Sequence, residues 1–120
     1  MNSSYPCDIS VVVPLFNEAE SLPELCSWIG RVMDTHNFTY EVLLIDDGSK
    51  DASWNTIMQL AQTNPNLKGI RFRRNYGKSA ALAAGFSAVA GEVVITIGLG
   101  AVRVRYGVRF HGRRAFSEYG

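Results

Sequence analysis

A chain of 120 residues, 47% apolar and 19% charged, has the composition of one globular domain and is too apolar to be disordered. The formal charge of +1 is unevenly spread: residues 1–97 carry 7 Lys and Arg against 10 Asp and Glu, whereas residues 98–120 carry 5 Arg against Glu118 alone. The near-neutral first part has no basic face with which to displace phosphate counterions, which argues against nucleic acid as a partner. No window reaches the ~18 apolar residues of a transmembrane segment, and the N-terminus lacks the build of a signal peptide.

Ile9-Ser10-Val11-Val12-Val13, a mostly β-branched run ended by Pro14, predicts a strand buried on both faces of a parallel sheet. Ser21-Leu22-Pro23-Glu24 matches an S-x-x-E capping box. Leu22, Leu25, Cys26, Ile29, Val32 and Met33 then recur at helical spacing. Cys7 and Cys26 form no C-x-x-C pair, so two reduced thiols and a cytoplasmic setting are expected.

A second strand is expected over Glu41–Asp46, followed by the polar turn Asp47-Gly48-Ser49-Lys50-Asp51. A helix from about Ala52 to Thr63 turns Ile57, Leu60 and Ala61 inward, and Asn64-Pro65-Asn66 stops it. Leu67–Phe72 is a third strand, and Arg73–Gly77 a loop. Lys78–Ala90 is an Ala-rich helix able to pack close to the sheet and ended by Gly91, and Val93–Ile97 is a fourth strand. This alternation gives an α/β fold with a doubly wound, mostly parallel sheet, incomplete at the C-terminus.

Ligands of open parallel sheets bind beyond the carboxyl ends of the strands. Three polar loops gather there: Pro14-Leu15-Phe16-Asn17-Glu18, Asp46-Asp47-Gly48-Ser49 and Arg73-Arg74-Asn75-Tyr76-Gly77-Lys78. A ring for a base, carboxylates for base N–H groups or ribose hydroxyls, and cations for phosphate make a nucleotide site. Taken alone, Asp47 or Ser49 is equally well read as capping a turn or the following helix. Two other nucleotide folds fail on sequence. Gly77-Lys78-Ser79 would need Gly where Phe72 stands to complete a P-loop, and no G-x-G-x-x-G follows the first strand.

Val13-Pro14-Leu15-Phe16-Asn17-Glu18, Ile45-Asp46-Asp47-Gly48-Ser49 with Asp51, and Arg74-Asn75-Tyr76-Gly77-Lys78 followed by Ala80-Ala81-Leu82 and Gly85 occur in order at a specific spacing. Together they resemble the family 2 glycosyltransferases of GT-A fold. Within that family they resemble the polyprenyl-phosphate sugar transferases such as dolichol-phosphate mannose synthase, over roughly Asp8 to Ile97. The resemblance implies a Rossmann-like nucleotide-sugar-binding half at residues 1–97. Pro14, Phe16 and Glu18 would line the nucleotide, Asp47 would accept from the base, Asp46 would support that loop, and Arg74 and Lys78 would approach the diphosphate. Partners would be a UDP- or GDP-linked sugar and a lipid-phosphate or glycan acceptor, with inversion at the anomeric carbon, at the inner face of the membrane in full-length members. For Asn75 a structural reading, as a loop or helix cap, stands level with a functional one. Tyr76, Trp28, Trp54 and Phe86 are read as packing residues before sugar platforms.

In the family the fourth strand runs into an Asp-x-Asp motif whose carboxylate binds Mg2+ or Mn2+ on the donor diphosphate. Here Gly98 and Gly100 stand in those places, so no metal ligands are expected and this chain is expected to be inactive. The remainder, residues 98–120, has two readings. One is a strand over Ala101–His111 with an arginine face, since Val102, Val104, Tyr106, Val108 and Phe110 alternate with Arg103, Arg105, Gly107, Arg109 and His111. The other, which is preferred, is out-of-frame translation of a family gene or an assembly error, the tail being frameshifted or truncated. His111, with no nearby carboxylate or cysteine in sequence, reads as a surface histidine. The alternatives to a glycosyltransferase are a nucleotide-binding module without catalysis and a truncated product with no stable fold.

Overall fold

A computed structural model describes residues 5–98 in full and 105–110 and 116–119 as backbone. In chain order the elements are β1 (Cys7–Leu15), α1 (Leu22–Thr35), β2 (Tyr40–Asp46), α2 (Ser53–Thr63), β3 (Leu67–Arg71), α3 (Lys78–Ala88), β4 (Gly91–Gly98), β5 (Arg105–Phe110) and β6 (Phe116–Tyr119). They form one sheet of order β3-β2-β1-β4-β5-β6. The first four strands are parallel to their neighbours, and β5 and β6 add antiparallel beyond β4.

The central strands are buried on both sides because helices cover both faces, as their continuous apolar runs require. Side chains alternate across a strand. Ile9, Val11, Val13 and Leu15 of β1 therefore join α1 and α2 in one core, with Leu22, Ile29, Val42, Leu44 and Ile57. Val12 points the other way and packs with Leu43, Ile45, Val94 and Ala81 of α3. The Ala-rich α3 does lie close to the sheet. A Cβ at Gly85 would overlap Val12 Cγ1, so that turn has room only for glycine.

Three expectations about boundaries are corrected. β1 runs through Pro14 to Leu15 instead of stopping at Pro14. The Leu15 carbonyl faces β2, where it accepts from Asp47 N at 2.9 Å, so Pro14 faces the β4 side. Pairing with β4 has already ended at Val12↔Thr96, and the missing N–H of Pro14 breaks no ladder bond. The capping box at Ser21 does not form. Ser21 has helical backbone angles, and its hydroxyl donates to Glu18 Oε1 at 3.4 Å instead of capping the helix. Finally, α3 stops at Ala88, and Gly91 opens β4, where a Cβ would crowd Ser10 and Ile9.

The four parallel strands are tied at their N-terminal ends by one carboxylate. Glu41 of β2 is buried. Its Oε2 accepts from Ser10 Oγ of β1 at 2.5 Å and from Ala90 N at 2.6 Å, and its Oε1 accepts from Lys68 Nζ of β3 at 2.9 Å. Ser10 Oγ in turn accepts from Gly91 N at 2.8 Å. Burial alone would raise the Glu41 pKa, but the bonds from Ser10, Lys68 and Ala90 outweigh it and hold the carboxyl below its ordinary value. A hollow of about 460 Å³ opens beside this cluster, among Pro6, Phe38, Tyr40, Asn66 and Lys68. It lies at the end of the sheet away from the strand carboxyl ends, and both Glu41 oxygens there are already engaged.

Both cysteines are free. Burial pushes the Cys26 thiol up to about 11, and burial followed by the Glu41 charge raises Cys7, so neither is an activated nucleophile. Among the described residues no helix is long and apolar enough to cross a membrane. Residues 105–110 are a strand, as the first reading of the tail expects but over a shorter span. The arginine face and His111 lie outside the described residues.

Candidate functional site

The site is built from the three loops that leave β1, β2 and β3 at their carboxyl ends. β2 ends on Asp46, whose backbone carbonyl accepts from Phe72 N at 2.8 Å, which fixes the start of the third loop. The Asp46 side chain is wholly buried. Oδ1 accepts from Ser49 N at 2.8 Å and closes the Asp46–Ser49 turn, while Oδ2 has no hydrogen-bond partner among the described residues. Asp46 thus closes its own loop. Gly48 has φ 75°, and a Cβ there would run into the backbone of Arg74 and Asn75, so glycine is required where the second and third loops touch.

Asp47 is 5% exposed. Its Oδ1 accepts from Tyr76 N at 2.7 Å and its Oδ2 from Gly77 N at 3.0 Å. The carboxylate therefore clamps the third loop just before α3, a duty the sequence does not announce because the partners are backbone groups 29 and 30 residues away. Each oxygen keeps a further lone pair for a ligand. Neither Asp47 nor Ser49 caps α2. Asp51, one residue before the N-cap Ala52, accepts from Ser53 N at 2.9 Å and Ser53 Oγ at 2.6 Å, and its hydrogen bonds with Ser53 hold it below the ordinary carboxylate range.

The first and second loops are joined more extensively. Asn17, in the left-handed region at φ 55°, receives Lys50 N at 2.8 Å and Asp51 N at 3.3 Å on its Oδ1. In return, Asn17 N donates to Ser49 Oγ at 2.8 Å, Glu18 N to Ser53 Oγ at 3.0 Å and Ala19 N to Asp51 Oδ2 at 3.4 Å. The motif that contains Asn17 is visible in sequence, but this role is not.

Of the seven residues expected in the site, Phe16, Arg74 and Lys78 are exposed and Glu18 is half-buried. Asp47 sits at the junction of the second and third loops. Pro14 and Asp46 are buried and stand behind the surface. The Arg74 guanidinium lies 5.0 Å from the centre of the Tyr76 ring, and Tyr76 meets Phe72 edge-on at 5.7 Å. Trp54 and Phe86 do pack against the cores, as expected, with Arg71 over the Trp54 ring. Tyr76 at 55% and Trp28 at 49% exposure do not. Asn75 is not the cap of α3. Gly77 holds that position with φ 103°, no side chain caps the helix, and its first turn carries no acid.

The model of the glycosyl transferase family 2 matches residues 10–98, which contain all three loops and the four parallel strands except the first three residues of β1. The chain belongs to this family. A mannosyltransferase of Pyrobaculum calidifontis, solved with GDP-Man and Mn2+, is 26% identical with a TM-score of 0.66, over 79% of this chain and 28% of that one. Staphylococcus aureus TarS 1–349 in complex with UDP is 23% identical with a TM-score of 0.63, over 76% and 27%. Glucosyl-3-phosphoglycerate synthase of Mycobacterium tuberculosis, with Mn2+, UDP and glucosyl-3-phosphoglycerate, is 22% identical with a TM-score of 0.61, over 78% and 33%. The latter two carry the fold alone. The chain thus spans about a third or less of the length of these solved structures.

Proposed function

We propose that residues 1–97 are the nucleotide-sugar-binding half of a glycosyltransferase that moves a sugar from a UDP- or GDP-linked donor, with inversion, to a polyprenyl-phosphate or glycan acceptor of cell-envelope synthesis. Residues 98–120 are then an atypical Arg- and Gly-rich tail, whose strands β5 and β6 continue the sheet from β4. The observation that carries the reading is the cross-linking of the three loops into one surface, with Phe16, Glu18, Asp47, Arg74 and Lys78 along it. Phe16 offers a ring to the base, and Asp47 accepts a base N–H with its free lone pairs. The start of α3 suits the diphosphate: its first N–H groups have no side-chain cap, and Lys78 and the nearby Arg74 add positive charge. The Arg74-Asn75-Tyr76-Gly77-Lys78 segment supports the polyprenyl-phosphate branch, with membrane association supplied by the full-length protein.

Mg2+ or Mn2+ is the family's expected cofactor, and the described residues do not fit it. Gly98 closes β4 without a side-chain oxygen, and no three His, Cys, Asp or Glu residues are grouped among the described residues. Asp46 is enclosed, and the lone pairs that Asp47 keeps beyond its bonds from Tyr76 N and Gly77 N are assigned to the base. Mg2+ is ordinarily held by one or two carboxylates together with substrate phosphates and waters, and the end of β4 supplies no such carboxylate. Leu99 and Gly100 lie outside the described residues. Leaving-group charge is therefore assigned to Arg74, Lys78 and the α3 N-terminus. Gly98 favours a second reading for this chain as it stands, namely nucleotide binding without turnover. Calorimetry with UDP and GDP, followed by a transfer assay, tests both. Binding without transfer is the expected pair of results, and sugar transfer by the purified 120-residue protein would sink the claim of inactivity.

A further inference from the structure

We infer that Asn17 is a positioning residue whose carboxamide sets the spacing between the first-loop and second-loop nucleotide contacts. The inference rests on the nucleotide reading above. Phe16 and Glu18 flank Asn17, and Asp47 begins the loop to which Asn17 is bonded. Three successive first-loop N–H groups, those of Asn17, Glu18 and Ala19, donate to side chains of the second loop and the start of α2. Two second-loop N–H groups, those of Lys50 and Asp51, return to the single Asn17 Oδ1. Two of the five bonds in the crossing thus converge on one side-chain acceptor, on a residue held at φ 55°, a conformation that Asn tolerates better than most residues. Asn17 itself points back into protein backbone, so it acts through Phe16 and Glu18 and not on the ligand.

Two properties of Asn17 can be separated. Asn17→Gly keeps the left-handed backbone and removes the acceptor. Asn17→Asp restores an oxygen in the same place. Nucleotide affinity is read by calorimetry well below each variant's melting temperature, together with amide hydrogen exchange at Lys50 and Asp51. The expected result is about tenfold weaker UDP or GDP binding by Asn17→Gly, faster exchange at both amides, and recovery of affinity to within about threefold of wild type by Asn17→Asp. A purely structural role would lower the melting temperature and leave affinity in the cold unchanged. Affinity of Asn17→Gly within twofold of wild type, or Asn17→Asp as weak as Asn17→Gly, overturns the inference. If the wild-type chain binds neither nucleotide, the nucleotide reading fails separately. Exchange then decides the clamp, with unchanged rates at Lys50 and Asp51 in Asn17→Gly overturning it.

Discussion

Asp47 shows how one side chain holds a loop and still has capacity for a ligand. Its two oxygens accept from Tyr76 and Gly77 N–H, and removing it leaves those donors unpaired near the base of the site. Asp47→Ala should therefore weaken UDP or GDP binding about tenfold or more, measured calorimetrically; unchanged affinity would reject the assignment. Gly48 is a different case, where backbone geometry decides. At φ 75° and against the Arg74–Asn75 backbone, Gly48→Ala adds strain and a clash together. It should cost about 1–3 kcal/mol in a denaturant melt. At this scale the sequence was only partly legible. Phe16, Asp46 and Lys78 stand out because their residue types match the chemistry of a nucleotide. Asn17 and Asp51 do not, because what they do depends on backbone N–H groups in a loop more than thirty residues away for Asn17 and within the next turn for Asp51. The misread box at Ser21–Glu24 failed for a related reason: a four-residue match does not see Glu18, which takes the Ser21 hydroxyl.

Elements were easier to read than residues. The β-branched runs at Val11–Val13 and Val93–Ile97 and the apolar run at Val42–Ile45 have no stable place except between two helical layers. The helical spacing from Leu22 to Met33 likewise marks a one-faced helix, with Val32 the only member left partly exposed. The tie between the strands was not legible, since Glu41 reads as an ordinary polar residue at a strand start. Its lowered pKa fixes a pH dependence. The Glu41 contribution is fully present above the unfolded carboxyl pKa of about 4.3. It is lost as pH falls through the still lower folded value. Wild type should therefore lose melting temperature on acidification below about pH 5 more steeply than Glu41→Gln, and equal slopes would contradict this. Lys68 is the opposite case. Its pKa is raised, first by the hydrogen bond to Glu41, and as a well-exposed partner it should contribute little that salt does not screen. α3 offers a test of close packing. Gly→Ala inside a helix ordinarily gains about 0.5–1 kcal/mol. At Gly85 the new methyl meets Val12 Cγ1 in a fully buried layer, and overpacking of about 1–3 kcal/mol should win. A more stable Gly85→Ala variant would show that α3 can move off the sheet.

At the scale of the whole molecule, the proposed binding loops and the expected metal motif fall on different sides of Gly98. The loops that would hold a nucleotide lie within residues 10–98, the stretch matched by the family model, and the same stretch ends at Gly98, where the family's metal motif would begin. β5 and β6 extend the sheet antiparallel beyond that point, so the chain past Gly98 joins the sheet without restoring a side-chain oxygen at residue 98. The most direct test is a calorimetric titration of UDP and GDP into the 120-residue protein with and without Mn2+. The account predicts saturable binding of at least one nucleotide, with affinities that agree within about twofold whether or not Mn2+ is present. Binding of neither nucleotide, or binding only when Mn2+ is added, would contradict it.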